Sequence, residues 1–261
     1  MRALSIAATG MLAQQTNVEV ISNNIANVNT TGHKRQRAEF QDLLYQDLRR
    51  AGATSSDAGT IIPTGVQIGI GVKVSGVYRI VSQGDLVSTE NQLDMAIEGK
   101  GLFRITLPDG QDAYTRAGSF QRSATGEIVT HDGFTVQPAI TIPPEAIDVV
   151  INQTGEVQIK VAGQTELNNI GQFELATFAN EAGLETIGDN LLLETPASGT
   201  ATLGSPGATG FGSIRQGFLE TANINAVSEI TALITAQRAY ELNSKVISAA
   251  DEMMRTVTTL R

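Results

Sequence analysis

Both ends of this chain carry the same apolar rhythm, and that rhythm constrains what can lie between them. Leu4, Met11, Val18 and Ile25 recur every seven residues, and Ala7, Ile21 and Val28 follow three places behind. Such spacing draws one apolar stripe down a helix and predicts a helix from about Leu4 to Ile25. At the other end Val246, Ala250, Met253, Val257 and Leu260 alternate by four and three. A second row, Leu233, Tyr240, Ile247 and Met254, runs beside them, so the last helix is apolar over much of its circumference. A helix of that kind is normally covered on several sides. Nothing between the ends shares the helical period, so the termini are expected to pack on each other and on copies from other molecules. A self-contained helical hairpin is the alternative. It would leave one face of the last helix exposed, at roughly 1.5–3 kcal/mol of lost burial per large side chain.

Gly10 inside the first helix points to close helix contact or a bend, at about 1 kcal/mol relative to Ala. Thr16 and Glu19 match a capping box, which would restart the helix there. Asn27, Asn29 and the Thr30–Gly32 run then end it. His33, Lys34, Arg35 and Arg37 form the one dense basic cluster, which reads as solvated or paired with an acidic neighbour. Phe40, Leu43, Leu44 and Leu48 suggest a short helix or an irregular apolar patch. Arg49–Thr64, rich in Ala, Gly, Ser and Thr, reads as a long loop, and loops of that length are often functional.

From Gly65 the period changes to two. Val66, Ile68 and Ile70 alternate, Val72, Val74 and Val77 continue, and turn signals recur at Pro108-Asp109-Gly110, Gly126, Gly133 and Gly155. Short strands at this spacing predict an antiparallel sandwich or barrel. Residues 195–213 read as another loop, and Asn225 as the N-cap of the last helix. The fold class is therefore α+β: paired, coiled-coil-like terminal helices and a central antiparallel β domain. The expected domains are 1–34 with 223–261, an extended connector 35–75, and a β-rich unit 76–222.

The chemistry on offer is sparse. The 261 residues hold no cysteine and two histidines, His33 and His131, which lie too far apart in sequence to form a spaced metal motif. Gly69, Gly71 and Gly76 do not fit a dinucleotide fingerprint. Asp109 and Asp112 flank a turn, where Asp serves the backbone, and a hydrolase using Asp109 or His131 has little support. Of the net charge of −9, residues 1–50 carry +2, residues 51–222 carry −11, and residues 223–261 are neutral. An acidic middle argues against nucleic acid as a partner. There is no apolar run long enough for a membrane span, and the N-terminus lacks the pattern of a signal peptide. No catalytic site, metal or cofactor is expected.

Three segments resemble the bacterial flagellar rod and hook proteins, the axial family of the flagellum. Ser22–Lys34 is similar to the N-terminal motif of the family, matched by Ala26, Asn27, Thr30, Gly32 and Lys34. Gln237, Arg238, Ala239 and Tyr240, continuing to Lys245, resemble its C-terminal motif. Asp94–Phe103 with Tyr114-Thr115-Arg116 resembles an inner one, with Leu102-Phe103 where the family usually shows Phe-Phe. The resemblance implies a structural subunit, exported without a cleaved signal peptide through the flagellar type III apparatus. It further implies helical self-assembly in the periplasmic basal body, with the terminal helices inside and the β domain outside. The implied partners are copies of itself, proximal-rod proteins, hook protein and the surrounding ring proteins. Chain length and the stretch Tyr45–Gly69 point to the distal rod, a rigid drive shaft that transmits torque to the hook. A proximal-rod paralogue and a soluble β-domain binding protein capped by a helical hairpin are the alternatives. The expected assembly interface comprises Leu4, Met11, Val18, Ile21, Ile25, Leu233, Tyr240, Val246, Ile247, Ala250, Met253, Met254, Val257 and Leu260.

Overall fold

A computed structural model describes residues 2–49, 64–161 and 166–259. The chain divides into two compact units. One holds Met1–Ala26, Gln36–Tyr78 and Asn225–Arg261, and the other Asn27–Arg35 and Arg79–Ile224.

The first unit is a pair of helices with a β ribbon. Helix α1 spans Arg2–Ala26 without a break. The Thr16 hydroxyl donates to the Leu12 carbonyl at 3.2 Å, inside the helix, so Thr16 does not cap a second start. The ribbon is built from β1 (Gln36–Asp42), β2 (Tyr45–Arg49), β3 (Val66–Gly69) and β4 (Val72–Arg79). β1 pairs with β4, and β2 pairs antiparallel with β3. Between the pairs, Leu43 N–H donates to the Gly71 carbonyl at 2.8 Å and Ile70 N–H to the Leu44 carbonyl at 3.2 Å. Phe40 and Leu48 thus lie in strands, with Leu43 and Leu44 in the link between them, and no short helix forms there. A run this short is decided by its partner, and the partner is 66–79. The expected Arg49–Thr64 loop falls mostly on residues 50–63, outside the described residues.

Helix α2 spans Ala226–Thr259. Asn225 caps it as the sequence predicts: its side-chain oxygen accepts from Val227 N–H at 3.1 Å and Ser228 N–H at 3.2 Å. Such a cap is worth ~1 kcal/mol.

The second unit is built of antiparallel strands, with one 3-10 turn at Glu181–Gly183 among the described residues. Its central strand, Leu102–Thr106, pairs along one edge with Asp112–Thr115. The other edge is shared, residues 104–106 pairing with Thr135–Gln137 and residues 102–103 with the strand Leu175–Thr177. Both faces of this strand are covered, and Phe103 lies at the centre of the core. Its ring meets those of Phe120 and Phe173 edge-on, at 5.1 and 6.5 Å between centroids, the favoured aromatic geometry. Gly110, Gly126, Gly133 and Gly155 each sit in a turn joining two paired strands, with positive φ. The stretch 195–213 is not wholly loop, because Thr202–Gly204 pairs with Leu175–Thr177.

Candidate functional site: a helix seam and a buried ion cluster

The helices of the first unit run antiparallel. Gly10 lies against Asn243, and at the far end Asn24 Nδ2 donates to Glu229 Oε2 at 3.2 Å. Along the contact small and polar side chains alternate with a few larger apolar ones. α1 buries Ala7, Ala13, Val20, Ile21 and Asn24. α2 buries Glu229, Ala236 and Ala250, seven or fourteen residues apart, with half-buried Asn243 completing the row. A Cβ at Gly10 would stand 3.0 Å from the Asn243 carboxamide, so glycine there permits close approach. Asn24 also pins the ribbon: it accepts from Gln36 N–H and donates to the Gln36 carbonyl, both at 2.8 Å. Further along α1, Thr9 Oγ1 accepts from Val72 N–H at 3.3 Å. A Cβ on Gly71 would lie 2.1 Å from that oxygen, so glycine is required at this crossing.

The sequence-predicted interface residues occupy different places around this seam. Ile21 and Ala250 are buried in it, and Leu4, Met11, Val18, Ile25, Leu233, Ile247 and Met254 are half-buried. Tyr240, Val246 and Met253 are exposed. Val257 belongs to the last turn of α2, and Leu260 lies outside the described residues. The seam is therefore rotated from the stripe of large residues towards Ala7, Gly10, Ala13 and Asn24. Counting large apolar residues passes over such positions, although small side chains let two helices come closest. The consequence is an apolar outer surface. Val227 is 74% exposed, Leu242 62% and Met253 62%, and Ile230, Ile234 and Val246 are exposed with them.

The N-terminal motif leads into the second unit. Thr30 folds back on Asn27, backbone and side chain each bonding at 3.1 Å. Gly32, at φ +69°, donates its N–H to the Glu220 carbonyl at 2.8 Å. Two residues on, Lys34 Nζ reaches Glu220 Oε1 at 2.6 Å and the Ser82 carbonyl at 2.9 Å. Glu220 is 1% exposed. Its other oxygen accepts from Arg116 Nε at 2.5 Å, and Gly84 N–H donates to Oε1 at 2.9 Å. The Arg116 guanidinium is enclosed by the carbonyls of Ile97, Gly99 and Gly101 at 2.6–2.8 Å. The inner motif is thus a turn wrapped around the arginine that follows it. Asn223 completes the node, accepting from Arg35 N–H at 2.7 Å and donating to the carbonyls of Ile80 and Ser82 at 2.8 and 2.9 Å.

Burial pushes the Glu220 carboxyl up, but Arg116, Lys34 and the Gly84 amide outweigh it and hold the group below its ordinary value. Burial moves Lys34 the other way and leaves it below the usual lysine range, despite Glu220. The two directions agree in physical terms, since one anion is shared between two cations. His33 is lowered by burial and by Arg79, and its Nε2 is buried without a hydrogen-bond partner among the described residues. Removing one member of such a buried set costs about 3–5 kcal/mol. The expected pairing of the basic cluster with an acidic neighbour is present, at Lys34 and again at Arg37 with Glu39. The neighbour was not identifiable from sequence, being 186 residues away. A carboxylate ending the apolar run Phe218-Leu219-Glu220 was its one local sign.

The residues weighed for hydrolytic chemistry serve structure. Asp109 accepts from Gln111 N–H at 3.0 Å within its turn, and Asp112 lies 3.5 Å from Arg104. His131 is exposed and bonded to Gln121 at 3.1 Å. Among the described residues no group of three or more His, Cys, Asp or Glu side chains is placed to hold a metal ion, and no helix is long and apolar enough to cross a membrane. In the C-terminal motif Gln237, Arg238 and Tyr240 are exposed and Ala239 is half-buried.

Comparison with known proteins matches each of these parts. Residues 4–34 match the family described as "Flagella basal body rod protein". Residues 96–159 match "Flagellar hook protein FlgE/F/G D1 domain", and residues 215–260 match "Flagellar basal body rod FlgEFG protein C-terminal". The "Flagellar basal-body rod protein FlgG" of Caulobacter vibrioides is 61% identical over the full length of both chains. That of Agrobacterium fabrum is 53% identical over 99% of this chain and 98% of its own. That of Buchnera aphidicola subsp. Schizaphis graminum is 47% identical over 98% of each. With this identity over the whole chain, and with all three segments in order, the chain belongs to the flagellar basal-body rod protein family.

Proposed function

We propose that this rod protein builds the distal part of the rod, polymerising helically around a channel into a stiff shaft that carries torque to the hook. The observation that carries the reading is the outer surface of α2. A hairpin made only to cap a β domain would turn its large side chains inward. Here the seam takes Ala, Gly and Asn beside Val20 and Ile21, while Val227, Ile230, Ile234, Leu242, Val246 and Met253 stand outside. An apolar surface of this extent on a monomer marks an interface. Its natural partner is a different part of the surface of a further copy, because a head-to-tail contact repeated by every subunit generates a helical polymer and not a closed dimer.

The ribbon supports the distal assignment. The stretch Tyr45–Gly69, which resembles a segment of distal-rod members, starts and ends in paired strands. Leu44, Tyr45, Leu48, Val66 and Ile70 are exposed on it. We assign Arg49–Thr64 the role of touching neighbouring subunits and stiffening the shaft. On this reading the subunit travels unprocessed through the type III export apparatus and works in the periplasmic basal body. There it meets proximal-rod, hook and ring proteins. Negative-stain microscopy of the purified chain, at rising concentration and with a rod seed, tests the proposal. Tubular or helical polymers are expected; persistent monomers at high concentration would overturn it.

A further inference from the structure

The Glu220 cluster fastens the segment Asn27–Arg35 into the β unit by three separate means. Lys34 reaches the carboxylate, Gly32 donates to the Glu220 backbone, and Arg35 N–H bonds Asn223, which itself grips Ile80 and Ser82. We propose that this cluster is an acid-sensitive clasp: ionised Glu220 holds Asn27–Arg35 against the β unit, and protonation releases the segment while the β core stays folded. The argument is one of charge placement. Lys34 and Arg116 face Glu220 from two different elements, and neither has another carboxylate within ion-pair distance among the described residues. Glu181 acts on Lys34 at longer range, and Arg79 faces His33. When Glu220 becomes neutral, two buried cations lose their shared anion.

Arg116 keeps the three carbonyls of its turn, all in the β unit proper. Lys34 keeps one carbonyl, that of Ser82. Being less well held and near the surface, Lys34 is the member that leaves for water. Backbone fit adds to the selectivity. A Cβ at Gly32 would stand 2.7 Å from Ala117 N, so the segment is seated only by close contact, which a small outward shift breaks.

The sign follows from the direction of the Glu220 shift. A carboxyl held below its ordinary value contributes stability that is full above the ordinary carboxylate range and is lost as pH falls from there through the lowered folded value. The clasp is therefore closed at neutral pH, weakens below the ordinary carboxylate range and opens in more acid solution, where the folded Glu220 takes up its proton.

Hydrogen exchange of the full chain tests this, with rates referenced to the unfolded chain at each pH. Peptides covering 27–35 should lose protection several-fold, up to about sevenfold, between pH 7 and ~3.5, while the strand Leu102–Thr106 keeps its own. In Glu220→Gln the segment should be unprotected at pH 7 and gain no further exchange on acidification. Lys34→Met, which leaves the Arg116–Glu220 pair intact, serves if Glu220→Gln does not fold, and its segment should be poorly protected at neutral pH with a much reduced pH dependence. If 27–35 and Leu102–Thr106 lose protection together in the wild type, there is no separate clasp. If the variant that folds keeps wild-type pH dependence in 27–35, Glu220 is not its trigger. Either result overturns the proposal.

Discussion

Gly32 shows how a single position can join a motif to its cause. Its φ of +69° suits glycine, and its Cα faces the backbone of Arg116 and Ala117 with no room for a methyl group. Gly32→Ala should therefore destabilise the β unit by roughly 1–3 kcal/mol, read as a lowered denaturation midpoint by circular dichroism. An unchanged midpoint would mean that the segment re-seats without loss. The motif glycine and lysine were visible in the sequence, but their partners were not. Lys34 could be paired with Glu220 only by knowing that residues 30–35 and 220 share one place in the fold. Asn24 is similar. Seen alone it is a polar residue near a helix end, yet it is buried and bonded to both Gln36 and Glu229.

Among the elements, the two helices were legible because their apolar period persists over 25 and 34 residues. The strand hairpins were legible because glycine turns punctuate them. What the period passed over was the small positions of the seam, since hydrophobicity ranks Leu and Met above Ala and Gly, whereas close helix approach ranks them the other way. A direct check compares two substitutions. Ala236→Leu, at a position 3% exposed, should destabilise the helix pair by about 1–3 kcal/mol through overpacking. Leu242→Ala, at 62% exposed, should change monomer stability by less than about 0.5 kcal/mol. Equal effects in urea denaturation would place the seam elsewhere. The ribbon was half legible: β3 and β4 alternate plainly, but β1 and β2 are defined by pairing across a gap of sequence. Excising residues 50–63 with a short turn in their place should leave the melting temperature of the β unit nearly unchanged and alter the curvature of any polymer. An unfolded β unit in that variant would show that the stretch belongs to the core.

For the whole molecule, charge and apolar surface are segregated. The −11 of residues 51–222 falls almost wholly outside the helices, whereas residues 223–261 are neutral. Gathering α2 helices from several copies meets little charge repulsion, while acidic β units repel one another. Raising salt from about 0.05 to 0.5 M shortens the screening length to a few ångströms and should lower the concentration at which polymers form. Polymers that dissolve in high salt would point instead to assembly through ion pairs.

The central claim is that the outer apolar face of α2 is the assembly surface. Ile247, attractive from sequence alone, is half-buried in the subunit, so a charge there would perturb the fold and the interface together. Leu242 avoids that ambiguity. Sedimentation of Leu242→Glu beside Lys245→Glu, both at exposed positions of α2, with circular dichroism of each, separates the possibilities. An unpaired carboxylate buried at every repeat loses its hydration without compensation, so Leu242→Glu should remain monomeric with a native spectrum while Lys245→Glu still polymerises. If Leu242→Glu polymerises like the wild type, the helices are not the core of the rod.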